Sequence, residues 1–317
     1  MKKLRGKKSC AQLETEAYLL ADSAIVGFCC SEFDKATTPV VNVDNNYNTF
    51  PGSFKQFRDD LIFNLQNETS DSPCTKCKEF KEGFYYKNRK LRRLGHSNGG
   101  GCNFQCIYCT NSAKHPVDLK NPDLINFSNF LSAFEQSGEL TDKFHVLLGA
   151  GEFTIHPERS ALYELGDYAE YILTNGSIYD QRVDEILANG NAALEISLDA
   201  GTRQTFSKIK GFDLFDKVIE NTARYAQSKK ASVHLKYIFL PGINDNAEDV
   251  EGFVNICADN KADFAVISYD LNLKLSDVSD ETLKMIKLMI KGLDERGILY
   301  ADYSGLSKTE RYKNLDQ

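Results

Sequence analysis

The chain predicts an α/β protein: a partial (β/α)6 barrel preceded by a small, irregular, cysteine-containing N-terminal domain. Three features of the sequence predict it. From about residue 91 onward, short apolar runs alternate with amphipathic segments, the texture of parallel strands joined by crossover helices. Six such units occupy roughly 200 residues, which suits a partial barrel better than a closed eight-unit one. Before residue 90 the chain is polar and irregular, rich in Asn, Asp, Ser and Thr, and carries Cys10, Cys29, Cys30, Cys74 and Cys77. The expected division is therefore 1–90 and 91–317.

The elements follow in order. A helix over Phe54–Leu65 is the main regular element expected in the N-terminal region. Strands are expected near Leu91–Gly95, Phe144–Leu148, Ala169–Leu173, Ala192–Leu198, Val233–Leu240 and Phe264–Ser268. Helices are expected near Leu124–Gln136, Ala161–Leu165, Tyr179–Leu187, Phe215–Ser228, Ala247–Ala258 and Glu281–Arg296. No internal repeat or low-complexity tract stands out. Cys257 sits on an expected helix three positions after Val254 and reads as core packing.

Composition limits the function classes. The chain has 317 residues, 42% of them hydrophobic, enough for a packed core. Its formal charge is -7, which argues against broad capture of nucleic acid. The basic run from Lys87 to Arg93 reads as a solvated linker or strand edge. The N-terminus lacks an uninterrupted apolar stretch, since Glu14, Glu16 and Asp22 break it up, and no run approaches the length of a membrane span. A cytoplasmic protein is expected. In that compartment nine cysteines read as metal ligands or reactive thiols rather than a disulfide framework.

The densest chemical signal is the stretch Asn98–Cys109. Cys102, Cys106 and Cys109 stand in a CxxxCxxC spacing on a glycine-led loop directly after an expected strand. Three thiolates on one short loop can converge on one face of a 4Fe–4S cluster and leave the fourth iron open to a small molecule. The glycines allow close approach of backbone to the inorganic core. A zinc ribbon pairing Cys74 and Cys77 with Cys106 and Cys109 is the rival. It would need an unusually long spacing of 28 residues and would leave Cys102 unused.

With its neighbours, this loop resembles that of the radical S-adenosylmethionine superfamily. Tyr108 supplies the aromatic residue that the family places before its last cysteine. Gly149-Ala150-Gly151-Glu152 resembles the Gly-Gly-Glu motif, Thr174-Asn175-Gly176 matches a motif at the end of the third strand, and Ser197-Leu198-Asp199 one at the end of the fourth. The resemblance covers roughly residues 91 to 300. It implies a radical SAM type of partial barrel, a catalytic 4Fe–4S cluster on Cys102, Cys106 and Cys109, and S-adenosylmethionine as a bound small molecule. It implies backbone contacts from Gly149 and Gly151 to the amino group of S-adenosylmethionine, with Glu152 orienting that ammonium or supporting the loop. It also implies ribose contacts from Ser197 and Asp199, and a contact from the Tyr108 carbonyl to the adenine. His234 and Lys236 could face the barrel, but read more simply as exposed or satisfied residues. No side chain is singled out as a catalytic acid, base or nucleophile.

Cys10 to Cys30 resembles the first half of a SPASM-type auxiliary cluster region, and Cys74 and Cys77 its closing pair, although such regions usually follow the core. The resemblance implies four thiolates from Cys10, Cys29, Cys74 and Cys77, with Cys30 able to replace Cys29, around a second iron–sulfur cluster or a zinc ion. The implied activity is reductive cleavage of S-adenosylmethionine to a 5′-deoxyadenosyl radical that abstracts hydrogen from a substrate, fed by an electron donor such as flavodoxin or ferredoxin. Peptide or protein modification is the leading substrate class. Sugar or nucleotide-sugar modification for surface polysaccharides is the alternative, and a non-catalytic metal-binding scaffold is the alternative of another class.

Overall fold

The computed structural model describes residues 8–20, 25–27, 40–42, 49–69, 72–77, 80–82, 90–97, 101–109, 127–149, 151–156, 159–190, 192–228, 230–270, 273, 277–303 and 305–315. They fall into two compact units. One comprises the described residues within 1–100, 116–151 and 156–170; the other those within 101–115, 152–155 and 171–317.

In the first unit the elements are β1 (Lys8–Ser9), α1 (Ala11–Thr15), β2 (Glu16–Leu20), β3 (Ile25–Gly27), β4 (Val40–Asn42), α2 (Phe50–Gln66), β5 (Lys81–Glu82), β6 (Leu91–Ser97), α3 (Phe127–Ser137), β7 (Leu140–Gly149) and α4 (Arg159–Tyr163). β6 pairs in parallel with β7 on one side and with β2 on the other, and β3 and β4 extend the sheet antiparallel. Buried phenylalanines pack α2 on α3, with the Phe50, Phe54, Phe130 and Phe134 rings 5.0 to 6.1 Å apart. Arg93 on β6 ties neighbouring strand ends together. Its guanidinium donates to Glu16 at 3.0 Å and to both oxygens of Glu170 at 2.7 and 2.8 Å, a planar fork matched to a carboxylate.

β8 (Ala169–Thr174) begins in the first unit and continues in the second. The second unit then runs α5 (Gln181–Asn189), β9 (Ala193–Ser197), α6 (Arg203–Lys210), α7 (Phe215–Ser228), β10 (Val233–Phe239), α8 (Ala247–Asp259), β11 (Phe264–Tyr269), α9 (Asp280–Glu295), β12 (Leu299–Asp302) and α10 (Glu310–Lys313). Strands β8 to β12 pair in sequence order, every pair parallel. Alternation puts Leu194, Ile196, Leu235, Tyr237, Ala265 and Ile267 on one face, and all six are fully buried. The opposite face carries Glu195, Ser197, Lys236 and Ser268, and Lys236 forms an ion pair with Glu195 at 3.4 Å. Among the described residues β12 pairs on one side only, as does β4. Among the described residues no helix is long and apolar enough to cross a membrane.

All six expected strands are present as β6 to β11, and all six expected helices of the α/β region as α3, α4, α5, α7, α8 and α9, with shifted ends. The sequence did not anticipate β2, β3 and β4. β2 follows the helix-forming run Ala-Gln-Leu-Glu-Thr, and its pairing with β6 and β3 makes it a strand. α6 was also missed, because its eight residues are mostly polar and only Phe206, Ile209 and Lys210 are buried.

Side-chain caps set the starts of the helices around the site. Asp180 accepts from Arg182 N, Thr202 from Thr205 N, Asn246 from Asp249 N and Ser279 from Thr282 N. Asp249, 2% exposed, also receives the N–H groups of Gly201 and Thr202 and the hydroxyls of Thr202 and Thr205. This carboxylate therefore holds the first turn of α8 against the turn that leads from β9 into α6. The approach requires glycine on both sides: a Cβ on Gly252 would overlap the Gly201 carbonyl oxygen, and a Cβ on Gly201 would overlap that of Asp249. Glycine to alanine inside a helix ordinarily stabilises by up to about 1 kcal/mol. Gly252→Ala is expected to do the reverse, lowering stability by about 2 kcal/mol in chemical denaturation. A gain in stability would show that the close approach is not required.

Candidate active site

The second unit gathers the carboxyl ends of β8 and β9, the last turn of α6 and the loop 101–109. The loop is clasped by main-chain hydrogen bonds. Gln105 N donates to the Lys210 carbonyl at 2.9 Å, Ile107 N to that of Ile209 at 3.0 Å, and Glu152 N to that of Gly101 at 2.9 Å. Helix C-termini leave carbonyls without partners inside the helix, and here the loop supplies the donors. Gly211 ends α6 in the left-handed region, φ 79, where a Cβ would press on Gln105 at 3.2 Å. Phe104 anchors the loop from beneath, 2% exposed, edge-on to Phe206 and stacked with Phe212.

Cys102, Cys106 and Cys109 are each partly exposed, and none is in a disulfide. Cys102 lies within electrostatic reach of Cys109, and Cys106 of both others. Burial pushes the Cys102 thiol up, and Glu152 adds to the effect, against the N–H of Phe104 and the amide of Asn175. Burial likewise raises Cys106, opposed by the Lys210 ammonium. Thiols so placed favour their neutral form until a cation arrives. Among the described residues no three His, Cys, Asp or Glu side chains gather tightly enough to hold a single metal ion. A cubane assigns each thiolate to a different iron and so spreads its three sulfurs farther apart than a single ion would.

Two buried carboxylates support the loop. Glu152 is 0% exposed. Its Oε1 accepts from Thr154 N at 3.0 Å and from the hydroxyls of Thr154 and Thr174 at 2.6 and 2.7 Å, and its Oε2 accepts from Asn175 N at 2.6 Å. Glu152 thus supports the loop through four accepted hydrogen bonds. Asn175 passes this order to the cysteine loop. Its Nδ2 donates to Asn103 Oδ1 at 2.8 Å and lies 3.7 Å from Cys102 Sγ, while Asn103 donates to the Ser177 hydroxyl at 2.8 Å.

Asp199, also 0% exposed, sits in the left-handed region at φ 60. Its Oδ2 accepts from the Tyr108 hydroxyl at 2.6 Å and pairs with Lys210 Nζ at 2.5 Å, and its Oδ1 accepts from Ile238 N at 2.9 Å. Asp199, expected to contact the ribose, is engaged here in a buried ion pair with Lys210. Burial raises the Tyr108 hydroxyl well above its usual range, and the Asp199 carboxylate adds to the shift. Burial pushes Lys210 down, but Asp199, with Cys106 and Cys102, more than offsets it and the ammonium is held above its usual range.

Of the other expected residues, Ser197 ends β9 partly exposed, opposite Lys236. Gly149 and Gly151 belong to the first unit: Gly149 ends β7 opposite Ser97, and Gly151 has φ 68. Cys10, Cys74 and Cys77 are also in the first unit. Cys10 precedes α1, and Cys77 N donates to the Cys74 carbonyl at 3.2 Å in a 3-10 turn. Ser9 pairs with Lys81, which returns the segment after Cys77 to the side of Cys10. Cys29 and Cys30 lie outside the described residues. The sequence reading missed Lys210, Asn103, Ser177 and Asn244, whose amide donates to the Asp199 carbonyl at 2.8 Å. It quoted Asn175 without a role. The signal for Lys210 was faint: a lysine closing a short helix before glycine ordinarily reads as a solvated cap.

Fold and loop together define an α/β protein with a three-cysteine loop beside the carboxyl ends of its parallel strands. The chain is similar to the Radical SAM superfamily over residues 99–255, just under half of its length. It is 26% identical over 160 residues to the GTP 3',8-cyclase of Chlorobaculum tepidum, covering 49% of this chain and 46% of that protein. It is 29% identical over 159 residues to the GTP 3',8-cyclase of Clostridium acetobutylicum, covering 49% of each. Identity to the Caenorhabditis elegans molybdenum cofactor biosynthesis protein moc-5 is 29% over 175 residues, 53% of this chain and 28% of that one. The chain thus spans less than half the length of each of these three relatives. Among solved structures, Streptococcus suis SuiB bound to precursor peptide SuiA superimposes with a TM-score of 0.53 at 13% identity, over 97% of this chain and 75% of that one. At that identity the likeness is one of fold.

Glu152→Gln tests the support of the loop. An amide cannot present acceptors to all four donors, so one buried donor loses its partner. Stability is expected to fall by about 2 kcal/mol in chemical denaturation. An unchanged midpoint would show that the carboxylate does not organise the loop.

Proposed function

We propose that this chain reductively cleaves S-adenosylmethionine at a 4Fe–4S cluster held by Cys102, Cys106 and Cys109, and so removes hydrogen from a peptide substrate. The observation that carries the reading is the loop itself: three mutually coupled thiols outside any disulfide, clasped to the last turn of α6. The donor set fits the cluster, since burial disfavours the bare thiolates and iron would supply the missing cation. When bound, the cluster supplies the single electron that breaks the sulfonium bond of S-adenosylmethionine and frees a 5′-deoxyadenosyl group to take hydrogen from the substrate.

The chain's own residues hold and shield. Glu152 and Asn175 fix the backbone around Cys102, and Phe104 with Phe206 and Phe212 keeps water from the underside of the loop. Ser197, Gly149, Gly151 and the Tyr108 carbonyl are our candidates for contacts to S-adenosylmethionine. A flavodoxin or ferredoxin in the cytoplasm would provide electrons.

Peptide as substrate is supported by the fold shared with SuiB over 97% of this chain. A nucleotide is the second reading, favoured by the relatives named GTP 3',8-cyclase. Cys10, Cys74 and Cys77, with Cys29 or Cys30, are proposed to bind a second cluster or a zinc ion. The β1–β5 pairing, which returns the segment after Cys77 to Cys10, supports that grouping.

Anaerobic reconstitution followed by iron, sulfide and zinc counts is the test. The parent is expected to carry iron and sulfide and to release 5′-deoxyadenosine under reduction. Simultaneous Cys102→Ala, Cys106→Ala and Cys109→Ala is expected to abolish that release. Equal release from parent and triple variant would overturn the reading. Turnover of peptides against GTP and nucleotide sugars, followed by mass, then separates the substrate classes.

A further inference from the structure

The fully buried ion pair behind the cysteine loop has no part in binding S-adenosylmethionine in the reading above. Lys210 closes α6 with its side chain 1% exposed, and its Nζ lies 2.5 Å from Asp199, whose side chain is 0% exposed. The Tyr108 hydroxyl donates to the same carboxylate oxygen at 2.6 Å and lies 3.3 Å from Nζ. Tyr108 stands between Cys106 and Cys109, and the carbonyl of Lys210 itself receives the N–H of Gln105, next to Cys106. The pair is thus fastened to the loop by both backbone and side chain.

Two charges removed from water are an unusual means of anchoring. Apolar side chains of similar volume commonly stabilise a fold as well or better, and two main-chain hydrogen bonds already hold this loop to α6. Charges retained here call for an electrostatic role.

We propose that Lys210 and Asp199 are positioning residues that set the reduction potential of the cluster on Cys102, Cys106 and Cys109. A cluster gains one negative charge on reduction, and its potential follows the net charge and burial around it. The buried ammonium favours the reduced form and the carboxylate opposes it, in a setting where water screens little.

The inference rests on the proposed cluster, and one experiment separates the two. The full chain is reconstituted anaerobically as parent, Lys210→Met, Asp199→Asn and the double variant, and midpoint potentials are read by spin resonance during redox titration. Asparagine tolerates the left-handed backbone at position 199. Lys210→Met is expected to shift the potential to more negative values and Asp199→Asn to more positive values, with the double variant returning toward the parent. Shifts of the same sign, or none, in variants that hold iron as the parent does would overturn the proposal. If both single variants lose iron, the double variant decides. Iron retained at a parent-like potential supports the electrostatic role, and iron lost there too overturns it in favour of packing alone. A parent that takes up no iron defeats the cluster reading first, and this inference with it.

Discussion

The arrangement of the site depends on the grip of α6's last turn on the cysteine loop. A loop of nine described residues, 101–109, has little regular structure of its own. Its shape comes from donors satisfied elsewhere: two of its N–H groups meet the carbonyls of Ile209 and Lys210, and its tyrosine hydroxyl reaches Asp199. The two main-chain bonds close carbonyls left without partners at the end of α6. Without that grip, chain entropy would oppose bringing the three thiols together, since a flexible loop does not converge its side chains at low cost.

Glu152 does for the other side of the loop what Asp199 does for this one. Both carboxylates are fully buried, both follow a strand closely in sequence, and both accept main-chain N–H groups along with side-chain donors. Charge-assisted hydrogen bonds of this kind are stronger than neutral ones and have a demanding geometry. They make the ends of β8, β9 and β10 into fixed points, and the ring of Phe104 seals the loop's lower side. The thiols stay partly exposed while the two carboxylates that support their loop are fully buried.

The strand and helix pattern of residues 91 to 300 was legible because buried faces recur at regular spacing. Leu194, Ile196 and Leu198 alternate as a strand on a covered sheet must, and Val250, Phe253, Val254 and Cys257 recur as a helix must. β2 was not legible, since Ala11 to Thr15 favours helix and nothing nearby in sequence announces the pairing of Glu16 with Arg93. β12 was hidden for a similar reason: four residues at a sheet edge, with Leu299 exposed, carry too little alternation to register.

Spacing along the chain determined the three-cysteine loop, the positions of Glu152, Asn175 and Asp199 at strand ends, and the caps that open the helices. These are local matters, settled by residue type and distance in sequence. What each of those residues touches was decided only in three dimensions. Asp199, singled out in sequence as a ligand contact, is half of an ion pair because Lys210, eleven positions on, is brought against it by a helix that pattern alone did not reveal. Burial, a property of the folded neighbourhood, then determines whether a charge is available to a ligand or already matched within the protein.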